Sequence, residues 1–282
     1  STGGKAAGRY DSRDMWPEAV RAIAEIQPKA FLFENVRGLA RPRFREYFEQ
    51  IQSSLAKPAS QLGYSVSVQI VNAADFGAAQ KRHRVLLLGL RGEHSIGPDW
   101  LHPTHSRERL LWDQWISGEY WCEHGISQRP NSIPKFDRAA VERLQKRGEM
   151  PQTERWVTVR DRLVGLGEPN NQNNHIFQPG AKVYTGHTGS PLDQPAKALK
   201  AGDHGVPGGE NMMVRDDGSV RYFTLRESAR LQGLPDNFEF PRSWTESMRQ
   251  LGNAVPVELA EAAGARICEF VSQDATEFAI AA

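Results

Sequence analysis

Apolar positions change period along the first ninety residues. Val20, Ile23 and Ile26 recur at helical spacing, with Asp14 placed to cap, Pro17 in the first turn and Pro28 as a stop. Ala30 to Phe33 then forms a short continuous apolar run, the pattern of a parallel strand covered on both faces. A second helix is expected over 44–62. It is followed by YSVSVQIVNA, a strand rich in β-branched residues, and by RVLLLGL at 84–90, a third buried strand. Strand and helix alternate, which predicts an α/β unit with a largely parallel sheet over 1–91.

From about residue 92 to 220 the periodicity fades. Proline, glycine and asparagine recur and Trp and His cluster, so this stretch reads as a separate loop-rich domain. Over 221–282 order returns. Thr224 and Glu227 make a capping box for a short helix ending near Gly233. Leu225, Leu231 and Leu234 read as core, and Arg226 and Arg230 share one face of that helix. In the last helix Val257, Leu259, Ala263, Ile267, Phe270 and Val271 share a face.

Composition narrows the class. No run approaches the roughly eighteen apolar residues of a membrane span, and no signal-peptide pattern opens the chain. The two cysteines, Cys122 and Cys268, lack metal-ligand spacing and read as buried or half-buried thiols in a reducing setting. The net charge of +1 hides a division. Residues 1–91 hold 14 Lys and Arg against 8 Asp and Glu, a net of +6, and the rest is net acidic. A polyanion is expected to dock on the first third. The chain opens on Ser1 and a Gly-rich stretch, STGGKAAG, with no element before it. That reads as a cut through a larger protein, a processed end, or one half of a split protein.

Four motifs carry chemistry: ENV at 34–36, QKRHR at 80–84, FTLRESARLQGLP at 223–235 and GNAVP at 252–256. Glu34 and Asn35 close an apolar run. In QKRHR, alternation puts Gln80, Arg82 and Arg84 on one face and Lys81 and His83 on the other. A guanidinium at the ligand end of a sheet grips a phosphate or a carbonyl oxygen. In their order and spacing the four motifs resemble the DNA (cytosine-5)-methyltransferase family. STGGKAAGRYDSRD resembles the mobile loop after that family's Pro-Cys-Gln nucleophile motif, and LDQPAKALKAGDHGVPGGENM a weaker family pattern.

The resemblance implies a Rossmann-like α/β methyltransferase sheet whose N-terminal strands are missing from this chain, plus a small target-recognition domain at 92–220. It implies methyl transfer from S-adenosylmethionine, without a metal, to C5 of a flipped cytosine in duplex DNA. By resemblance Glu34 holds the proton at N3, Asn35 shapes its turn, Arg84 holds the base near O2 and Arg82 braces the loop or the backbone. Asn253 and Ala254 belong to the donor pocket, where Gly252 allows close approach, and Ser1, Lys5, Arg9 and Gln80 meet DNA. Arg13 anchors the loop's far end by an ion pair. The nucleophilic cysteine is expected in an N-terminal methyltransferase half, a separate chain or a lost segment. Neither cysteine present replaces it, Cys268 reading as a packing residue of the last helix. A lone chain is therefore expected to be insoluble or inactive. The implied setting is the bacterial or phage-type cytoplasm, near the nucleoid. Two other readings stay open: a non-catalytic DNA-recognition subunit, and a tRNA cytosine-5 methyltransferase.

Overall fold

The computed structural model describes residues 14–201 and 211–280, with side chains as far as 273. The described residues divide into two compact units, 14–72 with 83–102 and 262–280, and 73–82 with 103–201 and 211–261.

The first unit begins with α1 (Trp16–Ile26). The Asp14 carboxylate accepts from the Trp16 N–H at 3.1 Å, so Asp14 serves the helix start as expected. Gln27 ends the helix in the left-handed conformation. Ile23 is buried but Ile26 is 73% exposed, so the apolar stripe is narrower than its spacing predicts. After α1 come β1 (Ala30–Val36), α2 (Arg45–Ala56) and β2 (Tyr64–Asn72). The chain then passes through β3 (Gln80–Lys81), which belongs to the second unit, and returns as β4 (His83–Arg91).

The sheet of this unit has the order β1-β4-β2, and β4 pairs antiparallel with both neighbours. This corrects the parallel expectation. A buried apolar run signals cover on both faces, but it does not encode the direction of its partner. β4 is the central strand: Val85, Leu86, Leu87, Leu88 and Leu90 are all at most 2% exposed. Phe31 of β1 lies over Gly89, where a Cβ would fall 2.1 Å from the ring. One large and one absent side chain thus share a single site. Phe31 also tilts against Phe33 and Tyr64, with ring centroids 5.4 and 5.1 Å away.

The second unit contains β5 (His105–Ser106), α3 (Arg107–Trp115), α4 (Glu119–Glu123), α5 (Arg138–Arg147), β6 (Glu154–Arg155) and α6 (Val159–Leu163). It continues with β7 (Ser190–Pro191), β8 (Ala196–Lys197), β9 (Met212–Val214), β10 (Val220–Tyr222), α7 (Leu225–Leu231) and α8 (Trp244–Asn253). The final helix α9 (Val257–Ile280) starts here, and its residues from 262 onward group with the first unit. Its Leu259 and Ala263 are buried as the apolar face predicts.

Short helices need local help, because a single turn costs more to nucleate than it returns. Both α6 and α7 have it. Thr158 with Asp161, and Thr224 with Glu227, form complete capping boxes. Leu231 of α7 packs with the loop-rich stretch in a shared core of Ala79, Val159, Ala196, Leu199, Met213 and Phe223.

Candidate active site

In the first unit, β1 and β4 bring Glu34 and Arg84 together. Val36 lies opposite Arg84 and Glu34 opposite Leu86, so the acid sits one diagonal step away on the same face. Arg84 Nε meets Glu34 Oε1 in an ion pair, and Arg84 Nη1 donates to the His83 carbonyl at 2.9 Å. The two side chains are 11% and 26% exposed, so the pair is sunk while its carboxylate edge stays accessible. Burial pulls the Arg84 guanidinium below the usual arginine range, and the charge of Glu34 works against that fall. Asn35 turns its side-chain oxygen onto the Val36 N–H at 2.8 Å, fixing the strand end that presents Glu34.

In the second unit the same motif does a different job. Arg82 is 1% exposed. Its Nη1 donates to the Leu199 carbonyl at 2.9 Å and its Nη2 to the Gly252 carbonyl at 2.6 Å. The forked guanidinium ties two distant backbone segments together. Gln80 corrects the expectation of a DNA contact. It is fully buried, and its amide donates to the Leu231 carbonyl at 2.9 Å and to Gln232 Oε1 at 3.0 Å. No surface is left on it for a phosphate. The alternation in QKRHR is real, but its inner face splits between packing at Gln80 and Arg82 and the acid at Arg84. On the outer face His83 is exposed, whereas Lys81 is half-buried.

Asn253 closes α8 with its side chain exposed, and Ala254 follows in extended conformation. Gly252 is needed for a different close approach than expected. A Cβ there would lie 2.2 Å from the Ala201 nitrogen and 2.4 Å from the Lys200 carbonyl carbon, so the chain's own backbone fills that space. Lys200 is held a second time. Asn211 accepts from its N–H and donates to its carbonyl, both at 3.0 Å. Residues 199–201, Gly252 and Arg82 therefore form one rigid junction directly before Asn253. Only the Gly252 part of this was visible in the sequence, as a glycine beside an asparagine.

Arg226 and Arg230 are also spent internally. Arg226 is 2% exposed and donates to the carbonyls of Asn173, Pro235 and Phe238, while Arg230 forks onto Asp236. Ser1, Lys5, Arg9 and Arg13 lie outside the described residues. Cys122 and Cys268 are both exposed, which corrects the expectation of buried thiols: each falls on the solvent side of its helix. Among the described residues no three His, Cys, Asp or Glu side chains converge as a metal site, and no helix is long and apolar enough to cross a membrane.

A carboxylate and a guanidinium paired at the end of a central antiparallel strand suit a ligand that presents both an N–H and a carbonyl oxygen. The comparisons with known proteins agree on the class. Residues 1–269 match the family model of C-5 cytosine-specific DNA methylases, and the chain belongs to that family, whose members are DNA (cytosine-5)-methyltransferases. It is 28% identical over 283 residues to the type II methyltransferase M.NgoMIV of Neisseria gonorrhoeae, covering 97% of this chain and 75% of that one. It is 30% identical over 268 residues to M.AplI of Arthrospira platensis, covering 93% of this chain and 63% of that one. Among solved structures it resembles the Dnmt2 methyltransferase of S. pombe, with a TM-score of 0.54 at 16% identity over 91% of this chain and 72% of the other. It also resembles a putative DNA modification methyltransferase from an E. coli prophage, with a TM-score of 0.50 at 20% identity over 94% of this chain and 77% of the other. These two likenesses establish the Rossmann-like methyltransferase fold.

Proposed function

We propose that this chain methylates C5 of a cytosine flipped out of duplex DNA, with Glu34 and Arg84 holding the base. The observation that carries this reading is the Glu34–Arg84 pair on adjacent antiparallel strands, with Asn35 fixing the strand end. Cytosine C5 is a weak nucleophile until a thiolate adds to C6 and pushes an electron pair into the ring. Charge then builds toward N3 and O2. Glu34 holds a proton at N3, and Arg84 donates to O2 from a low-dielectric seat where each hydrogen bond counts for more. After methylation the C5 proton leaves to a base, and the sulfur departs with the electrons of its bond to C6.

S-adenosylmethionine supplies the electrophilic methyl group when bound, and the exposed Asn253 amide with the Ala254 backbone fits part of its holding. The thiolate is supplied by a Pro-Cys-Gln segment outside these 282 residues, since neither exposed cysteine stands in such a motif. We assign sequence reading to the loop-rich stretch 92–220, and the bacterial cytoplasm as the setting. The inaccessibility of C5 inside a base stack is what requires flipping.

The test is radiolabelled methyl transfer to cytosine-containing duplex DNA, with the Pro-Cys-Gln-bearing segment supplied in the same or a second chain. Transfer by the parent and its loss in Glu34→Gln, with DNA binding retained, supports the reading. Binding without any transfer makes the chain a recognition subunit. Transfer to tRNA in preference to duplex overturns the DNA assignment.

A further inference from the structure

The segment that follows Glu34 reads RGLARPRFR, with arginines at 37, 41, 43 and 45 and no acid until Glu46. It folds as two successive 3-10 turns, Arg37–Ala40 and Pro42–Phe44, before α2 begins. The Arg41 N–H donates to the Gly38 carbonyl and the Phe44 N–H to the Arg41 carbonyl, at 3.4 and 2.9 Å. Leu39 and Ala40 pack on the core cluster of the first unit, as do Tyr47 and Phe48 of α2. The turns are therefore anchored from beneath. Arg37, Arg41 and Arg43 are exposed, and the Arg43 guanidinium lies over the Phe44 ring at 4.7 Å. Among the described residues none of these three pairs with an acid, whereas Arg45 reaches Glu49 at 2.9 Å.

Three exposed guanidinium groups on one anchored double turn, with no acid partner among the described residues, concentrate positive charge on this stretch of surface, and such a stretch attracts an anion. A regular array of phosphates is the anion that matches several cations at once. The turns start one residue after β1, so Arg37 lies only three residues from Glu34. We propose that Arg37, Arg41 and Arg43 form a docking surface for the sugar-phosphate backbone of duplex DNA. This rests on the reading of DNA as the substrate and adds a surface that holds it. The contacts position the duplex and carry no sequence information. They act on substrate affinity and leave the chemistry at Glu34 untouched.

The experiment is a titration of the full chain, with the Pro-Cys-Gln-bearing segment supplied as in the transfer assay, against a fluorescent duplex of about thirty base pairs, from about 50 to 200 mM KCl. The variants are the triple Arg37→Gln/Arg41→Gln/Arg43→Gln, the single Arg37→Gln and Arg43→Gln, and the triple Arg→Lys at the same positions. Each phosphate contact contributes about 0.9 to the slope of log affinity against log salt. The triple Gln variant should therefore lose about 2.7 of that slope. That is roughly forty-fold less salt sensitivity across the fourfold range. The single variants should lose about 0.9 each, which keeps the test readable if the triple does not fold. The Arg→Lys triple should retain the slope, and so should the control Arg45→Gln. An unchanged slope in the Gln variants, with the parent binding DNA, overturns the surface and leaves the DNA reading intact. No DNA affinity in the parent overturns both. Loss confined to folded RNA, with duplex binding unaffected, overturns the duplex assignment.

Discussion

The Arg82 guanidinium donates to the carbonyl of Gly252, which lies immediately before Asn253, and the second arm of its fork reaches Leu199. A charged donor thus sets the position of an exposed amide through one peptide unit. Lysine offers a point charge on a flexible stem and cannot bridge two carbonyls in fixed geometry. Arg82→Lys should cost about 1.5–3 kcal/mol for the lost charged hydrogen bond. A urea-denaturation midpoint measures it. Binding of S-adenosylmethionine, followed by calorimetry, should weaken in parallel while DNA affinity does not change.

Gly252→Ala attacks the same junction by volume. The new methyl would sit within 2.2 Å of backbone at Ala201, which cannot rotate away. Overpacking of this kind costs about 1–3 kcal/mol. The expected outcome is a lower denaturation midpoint with a weakened donor site; equal stability and equal donor affinity would show that residues 200–201 yield freely.

Glu34→Gln keeps the shape of the acid and removes its proton chemistry. Methyl transfer should fall by about 10²–10⁴ in a single-turnover assay. Arg84→Lys should also reduce the rate on the proposed reading, since one ammonium cannot keep both the Glu34 ion pair made by Nε and the His83 carbonyl contact made by Nη1. Retained DNA affinity in each variant separates chemistry from binding.

Gly89→Ala should destabilise the first unit by about 1–3 kcal/mol, because the added methyl meets the Phe31 ring. Phe31→Leu in the same chain should recover part of the loss. The coupling in a double-mutant cycle reads that contact directly, and an additive result would deny it.

Asp161 provides the acid-stability prediction. Burial pushes its carboxyl up, but the Thr158 N–H at 2.7 Å and Arg155 Nη1, which donates to both carboxylate oxygens at 3.0 and 2.8 Å, outweigh burial and hold it below the ordinary carboxylate value. A folded value below the unfolded one means that stabilisation is present at neutral pH. It begins to fall near the unfolded value of about 3.9 and is lost as pH drops through the lower folded value. Asp161→Asn should lower stability at pH 7 and flatten the acid limb of a stability-against-pH curve. An unchanged acid limb would remove Asp161 from the balance.

Much of this was legible locally. The capping box at Thr224, the Asp14 contact at the start of α1, the buried run of β4 and the inward face of QKRHR follow from spacing and residue type. What was not legible depends on partners far along the chain. Nothing in Ala30 to Phe33 tells which way β4 will run beside it. Gln80 reads as DNA-facing because polar side chains in a motif suggest chemistry, and Arg82 reads as a brace without its partners, yet the acceptors that consume both lie more than a hundred residues later. Gly252 showed that something comes close, without showing that it is Ala201. The exposure of Ile26 and Cys268 follows from how wide a helix face its neighbours cover, which periodicity alone does not give.

The reach of Arg82 also has a consequence for how the chain is made. Its acceptors at Leu199 and Gly252 stand 117 and 170 residues downstream. A ribosome adding about 5–20 residues per second needs on the order of ten seconds or more to reach the second. Through that interval the guanidinium must stay hydrated, and the segment carrying it cannot take its final buried place. The junction before Asn253 therefore closes only after residue 252 has emerged, so the order of translation defers its assembly behind everything that lies between.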